Sequence, residues 1–384
     1  MNREISSVRE CDPVRVQRNI VGSRYLLESF EIKSRLEGHS GCVNTVLFSQ
    51  EGNHIYTGSD DTNVNIYSLS SSEMVDSFST IHTNNIFYAK DLPGTNMEVI
   101  VTCAADGRVG LTHAFTKRGR RIYRHRGRAH RIGLVPGEDS CFYSCGEDGA
   151  CCLFDVRGGA SQIFRPSAET SSTGGSALGD DEEMLAPVAK TVFCNNRDKR
   201  CSIYSVGVNP MRTHEVAVAG SCSHIALYDA RKFASPFAYL CPLRLSASSA
   251  HVTGLKYDHS GDMIIGSYND EEVYSFFPAE HGVAERRRPS DLPAAGARTG
   301  TGTGTGYSGH RNSNTVKQVS FLGARSEYVV SGSDCGHLFF WDTHTGQTLQ
   351  MLHADKAGAI NCLATHPYLP ILASSGLESD AKIW

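Results

Sequence analysis

Short apolar strands separated by polar turns recur along most of this chain. Each unit has an apolar run, a turn rich in Asp, Gly, Ser or Asn, and a second run that usually ends at a bulky aromatic residue. Alternating apolar and polar positions over a few residues indicate half-buried β-strands. Seven such units occur, at residues 56–68, 101–113, 143–155, 219–229, 265–276, 331–342 and 374–384. The pattern predicts an all-β chain built from seven copies of one unit.

The spacing of the units indicates the kind of repeat. The position that is usually aromatic falls at Tyr67, Thr112, Phe154, Tyr228, Ser275, Trp341 and Trp384. Four of the six intervals between these positions are 42 to 47 residues long, close to the roughly 40–45 residues of a WD-type propeller blade. We therefore predict a seven-bladed WD-repeat β-propeller.

The two longer intervals each contain a segment without hydrophobic periodicity. Residues 158–190 are rich in Gly, Ser and acidic residues, and residues 279–306 contain a basic triplet and a Gly-Thr tract. Such segments lack the apolar surface needed to fold, so we interpret both as flexible surface inserts. The predicted propeller spans residues 24–384 and follows an N-terminal extension of residues 1–23. Because the last unit stops at its third strand, we expect residues 24–33 to supply the missing strand and close the ring.

A histidine precedes the aromatic position in most units, about 25 to 30 residues earlier. In a WD repeat this histidine bonds to an aspartate in the turn and braces the blade. We predict that His39 pairs with Asp61 and that His130 pairs with Asp148, with the best braces in the first and third blades. A degraded brace is expected in the fourth blade, where Cys222 occupies the turn. Because the pairs recur, we interpret them as structural and not catalytic.

The composition limits the possible functions. The chain has 384 residues, a net charge of −4, and 40% hydrophobic and 20% charged residues, which is typical of a globular protein and argues against one that coats nucleic acid. Its 13 cysteines are odd in number and form no CxxC pair. We therefore expect reduced thiols, no metal site, and a location in the nucleus and cytoplasm. No apolar run approaches the roughly 20 residues that span a bilayer, so no membrane association is expected.

The sequence contains no recognised catalytic or cofactor-binding motif. It lacks a phosphate loop, a GxSxG elbow and an HExxH zinc motif. The Gly-Thr tract at 300–306 lies in an insert and not between a strand and a helix, which argues against a dinucleotide site. The acidic run at 180–183 also lies in an insert, where nothing fixes the geometry that acid–base catalysis needs. We therefore expect a protein without enzymatic activity and without a cofactor.

Residues 117–131 are the strongest local charge feature, with eight Lys or Arg among fifteen residues. We interpret Arg120, Arg121, Arg124 and Arg126 as candidates for binding an acidic partner, such as a substrate tail, nucleic-acid phosphates or an import receptor. The alternative is a solvated loop between the second and third blades. Outside this segment we expect no binding of nucleic acid.

Two units end on an aspartate and an arginine separated by one residue. These are Asp155 with Arg157, and Asp229 with Arg231. In a propeller the residue two positions past the strand end lies at a blade rim, so adjacent blades would place both arginines side by side. The guanidinium fork donates several hydrogen bonds to carboxylates and carbonyls of a partner. The alternative is an ion pair with an acid of a neighbouring blade, which contributes little on an exposed rim.

Several phrases of the sequence carry a resemblance to one branch of WD-repeat proteins. They are LEGHSGCVNTVLF (36–48), FYSCGEDG (142–149), HVTGLKY (251–257), GHRNSNTVKQVSF (309–321), SGSDCGHLFFWD (331–342) and HPYLPILASSGLESDAKIW (366–384). In these phrases the chain resembles the DDB-one- and cullin-4-associated factor 8 family, whose members are substrate receptors of cullin-4 RING ubiquitin ligases. The resemblance implies that the two Asp-x-Arg ends are the box that docks the ligase adaptor, and that a protein substrate is the second partner. The alternative is a scaffold or chromatin propeller that binds histone tails or other peptides without a ligase.

Overall fold

Seven four-stranded antiparallel sheets form the blades of a β-propeller in the computed structural model. The structure describes residues 22–95, 97–157, 185–194, 200–246, 248–278 and 303–384. In blades 1 to 6 the four strands follow one another along the chain, from the innermost strand to the outermost. The all-β, seven-bladed fold that the repeats predict is confirmed.

The strands of the first three blades are as follows. Blade 1 contains β2 (Val43–Phe48), β3 (His54–Ser59), β4 (Asn63–Ser68) and β5 (Met74–Ser79). Blade 2 contains β6 (Ile86–Asp91), β7 (Val99–Ala104), β8 (Arg108–His113) and β9 (Arg118–Arg124). Blade 3 contains β10 (Ala129–Leu134), β11 (Cys141–Gly146), β12 (Ala150–Asp155) and β13 (Ala189–Val192).

The remaining four blades complete the ring. Blade 4 contains β14 (Ile203–Val208), β15 (Glu215–Gly220), β16 (Ile225–Asp229) and β17 (Ala238–Leu240). Blade 5 contains β18 (Val252–Tyr257), β19 (Ile264–Tyr268), β20 (Val273–Phe276) and β21 (Thr303–Tyr307). Blade 6 contains β22 (Val319–Leu322), β23 (Tyr328–Gly332), β24 (His337–Asp342) and β25 (Thr348–His353). Blade 7 contains β26 (Ile360–Thr365), β27 (Leu372–Gly376), β28 (Ala381–Ile383) and, as its outer strand, β1 (Ser34–Leu36).

The first strand of each blade contacts the first strands of both neighbouring blades, so these seven strands surround a central channel. Because successive strands are antiparallel, the third strands all end at one face of the ring, which we call the lower face. The turns between second and third strands and the connections between blades lie at the opposite, upper face. The two faces therefore present different parts of every repeat.

The hydrophobic core lies between neighbouring blades. One cluster joins blades 2 and 3 and includes Val101, Leu111, Phe142 and Phe154, all fully buried. The seven aligned positions lie on third strands or, for Trp384, directly after one. Their aromatic members belong to the clusters that join neighbouring blades.

The ring closes through the pairing of β1 with β28, in which Arg35 lies opposite Lys382. An ion pair of 2.7 Å between Arg35 and Asp380 lies beside this junction. The prediction that residues 24–33 form the closing strand is wrong in its position, because Arg24–Glu28 form a short helix, α1, and the strand begins at Ser34. The Ser23 hydroxyl caps this helix by accepting a hydrogen bond of 3.3 Å from the backbone amide of Leu26.

Two outer strands begin within the ranges predicted as inserts and extend past their ends. β13 begins at Ala189 and pairs with β12, and β21 runs from Thr303 to Tyr307 and pairs with β20. The predicted borders at 190 and 306 are therefore wrong, since β-branched Thr and the buried Tyr307 allow the end of the Gly-Thr tract to act as a strand. Residues 158–184 and 279–302, which make up most of both predicted inserts, lie outside the described residues.

A histidine brace is present in the first three blades. His39 Nδ1 lies 2.9 Å from Asp61, and its Nε2 lies 2.8 Å from the Thr57 hydroxyl. The second blade repeats the arrangement with His82, whose ring nitrogens lie 3.2 Å from Asp106 and 2.8 Å from Thr102.

The brace of blade 3 uses His125 and not His130, so that prediction is wrong. His125 Nδ1 lies 2.9 Å from Asp148 and its Nε2 lies 2.9 Å from the Ser144 hydroxyl. The His125 to Asp148 separation of 23 residues matches the 22 and 24 residues of the first two blades. His130 is five positions further on, inside strand β10, where its Nε2 lies 3.2 Å from Glu147 and not beside Asp148.

Blade 6 replaces the brace with a buried ion pair. The Lys317 ammonium contacts the Asp334 carboxylate, and the two side chains are 0% and 2% exposed. Neither ring nitrogen of His310 has a hydrogen-bond partner among the described residues. Burial, reinforced by the Lys317 charge, lowers the pKa of His310 to about 4. Cys335 occupies the turn position that Asp61 fills in blade 1, which explains why the His–Asp pair is absent here.

Candidate functional site

Two neighbouring blades present the Asp-x-Arg sequence at the lower face. β12 ends at Asp155, and β16 ends at Asp229, where a 3-10 turn follows. Each aspartate accepts a hydrogen bond of 2.9 Å from the backbone amide of the arginine two residues later. This tight turn fixes the point at which each arginine side chain leaves its blade.

Each arginine also folds back onto its own aspartate. Arg157 Nε lies 2.9 Å from Asp155 Oδ2, and Arg231 Nη2 lies 2.8 Å from Asp229 Oδ2. The two arginine side chains nevertheless remain 63% and 68% exposed. Since a guanidinium has five N–H donors, each arginine retains donors for a partner molecule.

These pairs hold the carboxyls in the ionised form. The hydrogen bonds from Arg231 lower the pKa of Asp229 to about 2, and Arg157 lowers the pKa of Asp155 in the same way. Among the described residues, Arg157 pairs with Asp155 and with Glu138 of the same blade, the latter at 3.7 Å, and Arg231 pairs with Asp229 of its own blade. Neither arginine therefore forms the alternative ion pair with a neighbouring blade in this part of the chain. Exposed pairs of this kind are weak, so a partner can displace them at small cost.

Large apolar side chains are exposed in the turns of the same face. Phe115, Val188, Met211 and Phe237 are 75%, 67%, 70% and 42% exposed and lie in turns of blades 2, 3 and 4. Exposed apolar side chains near exposed arginines are typical of a protein–protein contact surface. The sequence reasoning missed these residues, although a large apolar residue in a predicted turn is a usable signal.

The basic segment is not a loop, which corrects that interpretation. Most of it forms β9 and the start of β10, joined by a short connection at the upper face. Arg120 and Arg121 lie on β9, are half-buried and have interactions within the protein. Arg124 and Arg126 are exposed at the upper face. The four predicted binding residues therefore do not form one site: Arg120 and Arg121 lie on the outer strand of blade 2, and Arg124 and Arg126 lie at the upper face.

A cavity of about 530 Å³ opens between blades 2 and 3 at this upper face. Its lining includes Asp106, Arg124, Arg126, Arg128 and Glu147. Three arginines against two carboxylates give this opening an excess of positive charge. The aspartate takes part in a brace, where burial would raise its pKa but the hydrogen bond from His82 and two backbone amides lower it to about 2.

Aromatic rings surround part of the channel mouth beside this cavity. Phe87, His130 and Tyr204 occupy equivalent positions near the starts of three consecutive inner strands. The ring centroids of Phe87 and His130 are 5.4 Å apart and the planes are nearly parallel, at 2°. Tyr204 meets His130 edge-on at 5.0 Å. His130 Nε2 also lies 3.2 Å from Glu147 Oε1 and lowers the pKa of that carboxyl.

Seven closed blades, with His–Asp braces in three of them, define this chain as a WD40-repeat β-propeller protein. The WD domain, G-beta repeat family matches residues 30–68. The chain is 30% identical over 296 residues to human "DDB1- and CUL4-associated factor 6", an alignment that covers 73% of this chain and 32% of the relative. It is 29% identical over 276 residues to "Protein ALTERED SEED GERMINATION 2" of Arabidopsis thaliana, covering 65% of this chain and 36% of the relative.

A third relative is the mouse "WD and tetratricopeptide repeats protein 1", 29% identical over 203 residues, which are 52% of this chain and 26% of the relative. The alignments therefore cover about a third of the length of these relatives or less. They support a propeller similar to that of a DDB1- and CUL4-associated factor. The narrower resemblance to the factor 8 branch stays a prediction.

Other predicted properties concern membranes and metals. No helix in the described part of the chain is long and apolar enough to cross a membrane. Among the described residues, no group of three or more His, Cys, Asp or Glu side chains is arranged to hold a metal ion.

Proposed function

We propose that this chain is a non-catalytic substrate receptor of a cullin-4 ubiquitin ligase. In this proposal Arg157 and Arg231 at the lower face dock the ligase adaptor, and a protein substrate binds elsewhere on the propeller. Asp155 and Asp229 act as positioning residues, because each closes the turn from which its arginine projects.

The observation that carries the proposal is the repetition of one exposed arginine turn on two neighbouring blades. Both turns have the same 2.9 Å contact from amide to carboxylate, and both guanidinium groups are more than half exposed. A purely structural turn does not require an arginine at this position. Arginine forks bind carboxylates and carbonyls of a partner with defined geometry, and the exposed Phe115 and Phe237 add apolar contact area on the same face.

The names of the human and mouse relatives, "DDB1- and CUL4-associated factor 6", support DDB1 as the adaptor. A receptor must hold its adaptor and its substrate at the same time. The Asp-x-Arg turns lie at the lower face, whereas the basic cavity and the channel mouth lie at the upper face. Two opposite faces allow both partners to bind together.

The alternative function is a scaffold or chromatin propeller that binds histone tails. Histone tails are basic, and the upper face presents Arg124, Arg126 and Arg128 around its cavity. Like charges at an interface oppose association, so the charge of this face favours an acidic partner over a histone tail.

Affinity purification of the tagged chain from cells tests the proposal. We expect DDB1 and the cullin in near-stoichiometric amounts with the unmodified chain, and loss of both with the Arg157→Ala, Arg231→Ala double variant. Arg325→Ala is the matched control, because Arg325 is an exposed arginine in a lower-face turn of blade 6. Purification of a peptide-bound chain without DDB1 would favour the scaffold alternative.

A further inference from the structure

Three cationic residues lie on the inner strands of different blades, which surround the central channel. They are Lys90 on β6, Arg131 on β10 and Lys256 on β18. Lys256 is the one exposed residue of an otherwise buried strand. Blades 2 and 5 are not neighbours in the ring, so the charge of Lys90 acts on Lys256 across the channel. The protein walls around the channel partly desolvate the Lys256 ammonium, and this effect, followed by the charges of Arg131 and Lys90, lowers the pKa of Lys256 to about 8.

These cations lack counterions in the part of the chain that the structure describes. Arg131 Nη1 is buried without a hydrogen-bond partner, and the guanidinium carbon lies 5.5 Å from the centre of the Tyr88 ring. The acidic neighbour of Lys90 is Asp91, but Asp91 is itself buried, and burial raises its pKa. Uncompensated charges between low-dielectric walls focus a positive potential along the channel.

The positive charge continues from the channel to the upper face. Arg128 lines the upper-face cavity and stands three residues before Arg131 on the same segment. The aromatic rings of Phe87, His130 and Tyr204 lie at the mouth between cavity and channel. The cations begin at the surface and continue into the channel, so an extended ligand with several negative groups could contact all of them. One small anion would contact only the cations in the channel.

We propose that the upper face and the central channel bind an acidic peptide segment of a partner protein, with its Asp or Glu carboxylates meeting Arg124, Arg126 and Arg128 outside and Arg131, Lys90 and Lys256 inside. Each inner contact places a carboxylate beside a cation that lacks a counterion, between protein walls where the attraction is screened less than at an open surface. The aromatic mouth packs against the peptide between charged positions. This inference deepens the proposed receptor function, since it names an acidic segment as the feature recognised in the substrate.

Binding of a fluorescein-labelled 12-residue Asp/Glu-rich peptide to the purified full chain, followed by anisotropy without DDB1, tests the inference. We expect saturable binding that weakens as KCl is raised, and no binding of the matching Asn/Gln peptide. The Arg131→Gln, Lys256→Gln double variant should lose at least tenfold in affinity, which corresponds to about 1.4 kcal/mol. Lys356→Gln is the matched control, because Lys356 is exposed at the upper face of blade 7.

Several results would overturn this inference. One is equal affinity for the acidic and the neutral peptide. Another is undiminished peptide affinity of the Arg131→Gln, Lys256→Gln variant when its circular dichroism spectrum is unchanged. A third is a higher affinity for a 12-nucleotide single strand than for the acidic peptide at the same site. Tighter peptide binding after neutralisation of the acidic run at 180–183 would assign the channel to this chain's own segment and would also overturn it. Because the assay contains no DDB1, a negative peptide-binding result would overturn this inference without testing adaptor docking through Arg157 and Arg231.

Discussion

The brace of blade 3 gives a quantitative test of how this propeller is held together. His125 is 2% exposed and bonds at 2.9 Å to both Asp148 and Ser144. In His125→Ala the hydrogen bond to the charged aspartate is lost, at a cost of about 1.5–3 kcal/mol, and the bond to the serine costs about 1 kcal/mol more. Asp148 keeps the backbone amides of Ala150 and Arg126 at 3.0 and 3.2 Å, which limits the penalty. We expect the free energy of unfolding to fall by about 3 kcal/mol in total.

His130→Ala is the matched control, five residues away. Its partner Glu147 has a side chain that is 33% exposed, so that contact is partly screened and weak. The substitution also removes the ring contacts with Phe87 and Tyr204, so we expect a total loss of about 1–2 kcal/mol, smaller than that of His125→Ala. Urea unfolding followed by the fluorescence of Trp341 and Trp384, the only tryptophans, measures both variants on one scale. An equal effect of the two substitutions, or a larger effect of His130→Ala, would refute the assignment of the brace to His125.

Two further predictions concern stability. Lys317→Met leaves Asp334 buried without its cation, although the amide of Ser313 still donates to this carboxylate at 2.6 Å. We expect urea unfolding to show that the free energy of unfolding falls by about 3 kcal/mol, with part of the loss restored in the Lys317→Met, Asp334→Asn double variant. A loss below about 1 kcal/mol would contradict the buried pair. The carboxyls of Asp106 and Asp148 have a folded pKa of about 2, below the ordinary value of about 3.9, so the unfolded chain protonates first as the pH falls. Their stabilisation is therefore complete above about pH 4 and lost as the pH falls toward 2; a melting temperature that stays constant over this window would show that the braces contribute nothing.

The repeat and its phase could be predicted because they are local properties of the sequence. Strand, turn and strand recur within a few residues, and the bulky side chains at Phe154, Tyr228 and Trp341 mark the same inter-blade position each time. The Asp-x-Arg turns were recognisable for the same reason. Their geometry depends on two residues and on the strand that precedes them.

The errors arose where a local pattern allows two outcomes. Residues 24–28 suit a helix as well as a strand, and the packing of Leu27 against Leu322 and Trp384 accompanies the helix. His125 and His130 both lie within 25 residues before Asp148. Only the separation between histidine and aspartate in the other blades, 22 and 24 residues, distinguishes His125 from His130.

The channel cations could not be predicted because their proximity depends on closure of the ring. Lys90 and Lys256 are 166 positions apart in the sequence and lie on non-adjacent blades. Nothing in the local sequence relates them. Their shared environment appears only when seven inner strands surround one axis.

The most direct test of the proposed receptor function is the affinity of the purified chain for purified DDB1, measured by isothermal titration calorimetry. The proposal predicts a saturable one-to-one complex, at least tenfold weaker binding for each of Arg157→Ala and Arg231→Ala, and unchanged binding for Arg325→Ala. Arg157→Lys should also bind more weakly than the unmodified chain, because an ammonium does not reproduce the planar fork. Unchanged affinity of the Arg157→Ala, Arg231→Ala double variant, or no binding of DDB1 by the correctly folded unmodified chain, would contradict docking through these two turns.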